Sequence, residues 1–255
     1  MTEPASADFV QSLARGLSVI RAFDAEHAHL SLSEVATRTG IPRAAARRFL
    51  RTLETLGYVR TDERRFALTP HVLELGFSYL SGLSLPEIVQ PHLEQLSHRV
   101  DESVSAAVLD GTDIVYVARV ATRRIMSVRI TIGTRFPASA TSMGRVLLAG
   151  MTDAARDALL AASGPLHLTE KTLTGPALLA ELDRVRAQGW ALVDGELESG
   201  LRSIAAPVHD RDGQVVAALN VSTSTHRVSE ERVRDAYLPA LLETATAVDA
   251  ELRLV

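Results

Sequence analysis

Apolar positions recur with a helical period up to about residue 80 and give way to mixed helical and strand-like runs beyond it. Leu13, Leu17, Ile20 and Phe23 fall three or four apart and predict a helix over Gln11 to Phe23. In SLSEVATRTG, Ser31 and Glu34 stand at capping-box spacing and Gly40 marks a stop, so a helix of about two turns is expected. Pro42 suits the first turn of a third helix and Gly57 its end, which leaves only a few residues between the second and third helices. YVRTDERRFALT then reads as two short strands turning around Asp62 to Arg64. Short helix, tight turn, longer helix and hairpin together predict a winged helix-turn-helix over residues 1–69.

Leu73, Leu75, Phe77, Tyr79 and Leu80 carry an apolar helical pattern through 70–84, read as a connecting helix. PEIVQPHLEQLSHRV then reads as helix, SVSAAVLDGTDIVYVARV as a hairpin turning at Asp110 and Gly111, and IMSVRITIG as another strand. Helix resumes in ATSMGRVLLAGM, TDAARDALLAA and GPALLAELDRVRAQG. The strand-like runs WALVD, LRSIAAPVHD and VVAALNVSTS and a closing helix from Ser229 to Leu254 follow. The fold class expected is two-domain α+β, with 85–255 built around an antiparallel sheet.

Charge changes how the third helix is read. The chain carries a net charge of -4, yet between Arg38 and Arg65 eight arginines face three carboxylates. Arg43, Arg47, Arg48 and Arg51 fall around Ala44 on or beside the arc opposite Phe49, Leu50, Leu53 and Leu56. No carboxylate interleaves them until Glu54, so the face repels itself unless an anion lies against it, and Ala44 permits close approach. A solvated basic face is the alternative. In the DNA reading Arg43 and Arg47 contact base edges and Arg48 or Arg51 phosphates, while Arg64 and Arg65 on the wing reach a minor groove or the backbone.

The absence of cysteine excludes disulfides, thiolate metal sites and a cysteine nucleophile. The N-terminal residues lack a signal-peptide pattern and no apolar run is long enough to span a bilayer, so a soluble cytoplasmic protein without a membrane partner is expected. No phosphate-binding glycine loop, nucleophile elbow or H-E-x-x-H pair occurs. The close pair His27 and His29 lacks carboxylate or thiolate partners in its pattern. Neither catalytic residues, a metal nor a cofactor is expected. The reading from another class is a cytoplasmic enzyme acting on a small organic acid, with an autoregulatory DNA-binding head.

The ordered set LARGLSVIRAF, LSEVATRTGIPRAAARRFLRTLETLGYV, ATSMGRVLLA and GWALVDGELESGLRSIAAPV, followed by LNVSTS, resembles the IclR family of bacterial transcription regulators from about Leu13 onward. RAAARRFL departs from the commoner family pattern. With RIMSVRITIGTRFPASATSMGRVLLA, it is similar to the branch controlling aromatic-acid catabolism. The resemblance implies a GAF-like effector-binding domain and a homodimer or dimer of dimers on a double-stranded DNA operator. It also implies a small organic acid effector such as protocatechuate, 4-hydroxybenzoate or β-ketoadipate. Carried over by position, it nominates Ser142, Met143, Asp194, Glu196, Leu201, Ser203, Asn220 and Ser222 as effector contacts. Ser139, Thr141 and Ser142 crowd a helix start suited to a carboxylate, although the same hydroxyls serve a plain N-cap equally well. An acid effector needs a cation, and of Arg119, Arg129 and Arg135 the last is expected first because it immediately precedes that helix start.

Overall fold

A computed structural model describes residues 9–75, 85–122, 130–164 and 166–253, which divide into two compact units, Met1–Gly82 and Leu83–Val255. The first unit opens with α1 (Gln11–Arg21), α2 (Leu32–Thr39) and α3 (Arg43–Thr55). The capping box forms: the Ser31 hydroxyl accepts from the Glu34 N–H and the Glu34 carboxylate accepts from the Ser31 N–H at 2.7 Å. Gly40 closes α2 in the left-handed region at φ 65°, and Pro42 stands at the N-cap of α3. Strands β1 (Val59–Thr61) and β2 (Phe66–Leu68) pair antiparallel, and Leu30 adds a bridge to Phe66. The core joins Val19, Phe23, Leu30, Val35, Ile41, Ala46, Leu50, Leu53 and Val59. Leu56, expected in this seam, is 56 % exposed because α3 ends at Thr55 and the chain turns at Gly57. Ser31→Ala removes a buttress of the turn-helix and should cost about 1 kcal/mol of stability in a urea melt.

The expected connecting helix falls mostly outside the described residues; within them a 3-10 turn, Pro70–Val72, is followed by helix to residue 75. The second unit is a six-stranded antiparallel sheet in the order β5-β4-β3-β8-β7-β6. It comprises β3 (Ser103–Asp110), β4 (Asp113–Val120), β5 (Arg135–Pro137), β6 (Ala191–Asp194), β7 (Leu201–His209) and β8 (Val215–Ser224). The hairpin turn lies at Gly111 and Thr112, since Asp110 pairs with Asp113. IMSVRITIG lies largely outside the described residues, and Arg135–Pro137 pairs with β4 instead.

Helices cover both faces of the sheet. Helices α4 (Leu85–Val100) and α8 (Leu238–Leu252) pack against each other and against β3, β4, β7 and β8. A turn Glu230–Arg232 and a π-helical stretch Val233–Tyr237 lead into α8. On the other face lie α5 (Ser142–Gly150) and α7 (Gly175–Gln188), with α6 (Asp153–Ser163) between them in sequence. Because strand side chains alternate, Ala107, Ala191, Ala205 and Ala218 point to the α5 face, where their small size admits α5 close to the sheet. Among the described residues no helix is long and apolar enough to cross a membrane.

Candidate functional site

Two surfaces carry the candidate chemistry, one in each unit. On α3, Ala46, Leu50 and Leu53 are buried, whereas Arg43, Ala44, Arg47, Arg48 and Arg51 are all exposed. None of those four arginines pairs with a described carboxylate, so the self-repulsion read from their spacing persists in the fold. Arg64 and Arg65 flank the wing tip. There Asp62 Oδ1 accepts from the N–H groups of Arg65 at 2.7 Å and Arg64 at 3.0 Å, which hold its carboxyl below the usual carboxylate range. The acid at the tip is thereby turned onto backbone, and both wing arginines stay exposed.

In the second unit a cavity lies between the start of α5 and the sheet. Ser142 and Met143 from α5, Leu201 and Ser203 from β7 and Asn220 and Ser222 from β8 line it. Six expected positions thus meet around one space. The register explains why: Ser203 stands opposite Ser222, and Ser222 opposite Ser103, so three hydroxyls share one row on the α5 face. The Ser142 and Ser203 hydroxyls are 2.8 Å apart, and Asn220 Nδ2 donates to Ser222 Oγ at 2.9 Å. Thr141 caps α5, its hydroxyl accepting from the Gly144 N–H at 3.1 Å. Thr141 therefore does what the plain N-cap reading required, while Ser142 remains turned to the cavity.

Three expected contacts lie elsewhere. Arg135 is exposed and committed to Asp110 and, at 3.2 Å, to Asp113, and these partners hold its pKa above the ordinary arginine value. Asp194 points to the opposite side of its strand from Val193, with Oδ2 accepting from Arg202 Nη2 at 2.7 Å. Glu196 is buried against Arg145 and also accepts from the Leu173 N–H at 2.9 Å. Each charge is paired with a protein partner of opposite sign, and none of the three lines the cavity. Arg129 falls outside the described residues.

The remaining lining is Tyr116, Ile130, Ala140, Thr141, Val193 and Leu197. Tyr116, Val193 and Leu197 were not expected, because an apolar residue on a strand or loop carries no sequence mark that separates a ligand wall from core. Burial pushes the Tyr116 phenol up to about 12, against the opposing pull of Arg119, so it stays protonated and offers a donor. A larger groove of about 550 Å3 is lined by leucines such as Leu160, Leu166, Leu173 and Leu178 together with Ser139, Ser163 and Thr174, and lacks the row of facing hydroxyls. Among the described residues no group of three His, Asp or Glu side chains could hold a metal.

An exposed basic recognition helix with a wing, and a separate sheet domain enclosing a hydroxyl-lined cavity, define a DNA-binding regulator with a sensor domain. The IclR helix-turn-helix domain matches residues 12–63, and the Bacterial transcriptional regulator IclR C-terminal family matches residues 77–250. This chain belongs to the IclR family of transcriptional regulators. It is 48% identical to the Pca regulon regulatory protein of Pseudomonas putida over 237 residues, 92% of this chain and 81% of that one. A crystal structure of a Rhodococcus sp. RHA1 protein assigned as a transcriptional regulator superposes with TM-score 0.88 at 56% identity, covering 96% of this chain and 98% of that one. An IclR homolog of Microbacterium hydrocarbonoxydans, solved in complex with 4-hydroxybenzoate, superposes with TM-score 0.85 at 26% identity, covering 96% of this chain and all of the other. The matched relatives are regulators, in keeping with a chain that binds and responds and does not catalyse.

Proposed function

We propose that this protein is a ligand-responsive, sequence-specific DNA-binding regulator of aromatic-acid catabolic genes, with a protocatechuate-type acid as effector. The observation that carries the reading is the likeness to the Pca regulon regulatory protein along nine-tenths of the chain. The hydroxyl-lined cavity, about 20 Å3 in this structure, supplies donors suited to a hydroxylated acid and has to widen to admit its ring, and the homolog bound to 4-hydroxybenzoate supports that ligand class. Arg43, Ala44, Arg47, Arg48, Arg51, Arg64 and Arg65 form the DNA surface; Ser142, Met143, Leu201, Ser203, Asn220 and Ser222 contact the effector. The chain acts in the cytoplasm as a homodimer or dimer of dimers, so that two recognition helices meet two half-sites of an operator.

Fluorescence anisotropy on a duplex selected by the protein from a random library tests this. A dimer making about 6 to 10 phosphate contacts should show a log K against log salt slope of roughly -5 to -9. Protocatechuate or 4-hydroxybenzoate should shift the affinity by about 5- to 150-fold. Arg47→Ala should relax sequence preference by about 1–3 kcal/mol at one base pair, and Arg51→Ala should weaken all duplexes alike. Binding that ignores salt, or ignores both acids, would overturn the reading.

A further inference from the structure

Arg119 differs from the buried arginines in its partners. Arg145 pairs with Glu196, Arg156 with Asp157 and Asp183, and Arg202 with Asp194. Arg119 is half-buried on β4, and among the described residues it faces no carboxylate. Its Nη1 donates to Ser105 Oγ at 3.0 Å, while its Nε is buried with no hydrogen-bond partner. Burial pushes its pKa down, with only the Tyr116 phenol acting the other way. A partly desolvated cation without a counterion is costly, and an arriving anion relieves that cost.

The sheet register shows where such an anion would sit. Arg119 stands opposite Ser105, and Ser105 opposite Asn220, so the three share one face across β4, β3 and β8. That is the face of the cavity, because Asn220 lines it, and the bulge that pairs Ala107 with Tyr116 brings Tyr116, another lining residue, to the same face as Arg119 although the two are three residues apart. Asn220 Oδ1 is also buried without a partner, so two of the four such side-chain atoms among the described residues lie in this one row. One register step along, two residues away on each strand, run Ser103, Ser222 and Ser203, the last beside Ser142. This face of the sheet therefore carries a guanidinium just beyond the lining residue Asn220 and a pair of hydroxyls within the lining.

We infer that Arg119, held by Ser105, is the residue that recognises the effector's carboxylate. Its Nε edge donates to the carboxylate, while the Ser142 and Ser203 hydroxyls take the ring hydroxyl of a hydroxybenzoate. This assignment rests on the aromatic-acid reading above and replaces Arg135 as the cation of the site. It explains how a cavity whose described lining holds no cation selects an anion: the charge comes from Arg119, next to the lining residue Asn220 along the sheet row and not itself in the lining.

Isothermal titration of the full chain with protocatechuate, 4-hydroxybenzoate and the neutral 4-hydroxybenzamide separates the possibilities. Arg119→Met should weaken both acids by at least about 30-fold and leave the amide within about threefold of its wild-type affinity. Arg119→Lys keeps the charge without the planar fork, and should lie between. Circular dichroism melting should find both variants folded; if Arg119→Met does not fold, Arg119→Lys and Ser105→Ala carry the test, each weakening the acids and sparing the amide. Unchanged acid binding in the variants, or acid and amide affinities falling together, would overturn the assignment while leaving the regulator reading intact. A wild-type chain that binds neither acid would remove the aromatic-acid reading and this assignment with it.

Discussion

Gly144→Ala should lower the melting temperature by roughly 6 to 12 °C and abolish binding of aromatic acids, since among the described glycines its Cβ would make the shortest contacts. The reason is steric. A Cβ at Gly144 would overlap the carbonyl oxygen and Cα of Ala138, backbone atoms of the 3-10 turn that leads into α5. A side chain could swing aside; this turn cannot, because Ala138 is itself buried and its N–H donates to Thr112 O at 3.0 Å. Relief requires α5 to move away from the turn, carrying Ser142 and Met143 out of the cavity wall. Overpacking of about 3 kcal/mol is expected, at the upper end of the usual range because backbone has to shift. Gly16→Ala is the control. Its Cβ would meet Phe49 only at 3.8 Å, an ordinary contact, so exchanging a mid-helix glycine there should be neutral or stabilise by up to about 1 kcal/mol. Equal melting temperatures for Gly144→Ala and the wild type would show that α5 does not depend on this close approach.

The difference between those glycines also marks what sequence reasoning can reach. Gly40 and Gly57 were legible as helix ends because a positive φ at a helix end is a local requirement, met at 65° and 83°. The capping box at Ser31 and the seam of Ala46, Leu50 and Leu53 were legible for the same reason, being set by neighbours within one or two turns. Gly144 gives no such mark, since its constraint is Ala138 lying across a turn and not its own backbone conformation. The cavity wall divides along the same line. Ser142, Ser203, Asn220 and Ser222 followed from a resemblance over the whole chain; strand alternation brings the last three to one face of the sheet, and the start of α5 lays Ser142 against it. Arg135, Asp194 and Glu196 did not follow, because the groups that neutralise them are brought near by the tertiary fold: Asp110 from the far end of a hairpin, Arg202 across β6 and β7, Arg145 from α5. A charge looks available in a sequence until its partner is known, and the converse holds for Arg119, which faces no carboxylate among the described residues, a property that only the folded sheet shows.

Arg145→Met should destabilise the second unit by about 3–5 kcal/mol in a denaturant melt and weaken effector binding, although neither member of the Arg145–Glu196 pair lines the cavity. Arg145 is 1% exposed, its Nε donating to Ser139 O at 3.1 Å and its Nη2 to Glu196. Glu196 in turn accepts from the Leu173 N–H, and its carbonyl accepts from the Thr172 hydroxyl at 2.8 Å. One ion pair therefore ties the start of α5 to the loop between β6 and β7, and both segments present lining residues: Ser142 and Met143 on one side, Leu197 on the other, with Leu201 following at the start of β7. Removing the arginine leaves a buried carboxylate without its counterion, which costs far more than the pair contributes over an apolar substitute. The double variant Arg145→Met with Glu196→Gln should therefore regain much of the lost stability, because an amide can still accept from Leu173 and carries no charge. It should regain less of the effector affinity, since the two walls are no longer held together by a charged bond. A single variant as stable as the wild type would mean that the carboxylate finds water or another cation. Full recovery of binding in the double variant would mean that packing alone sets the distance between the walls.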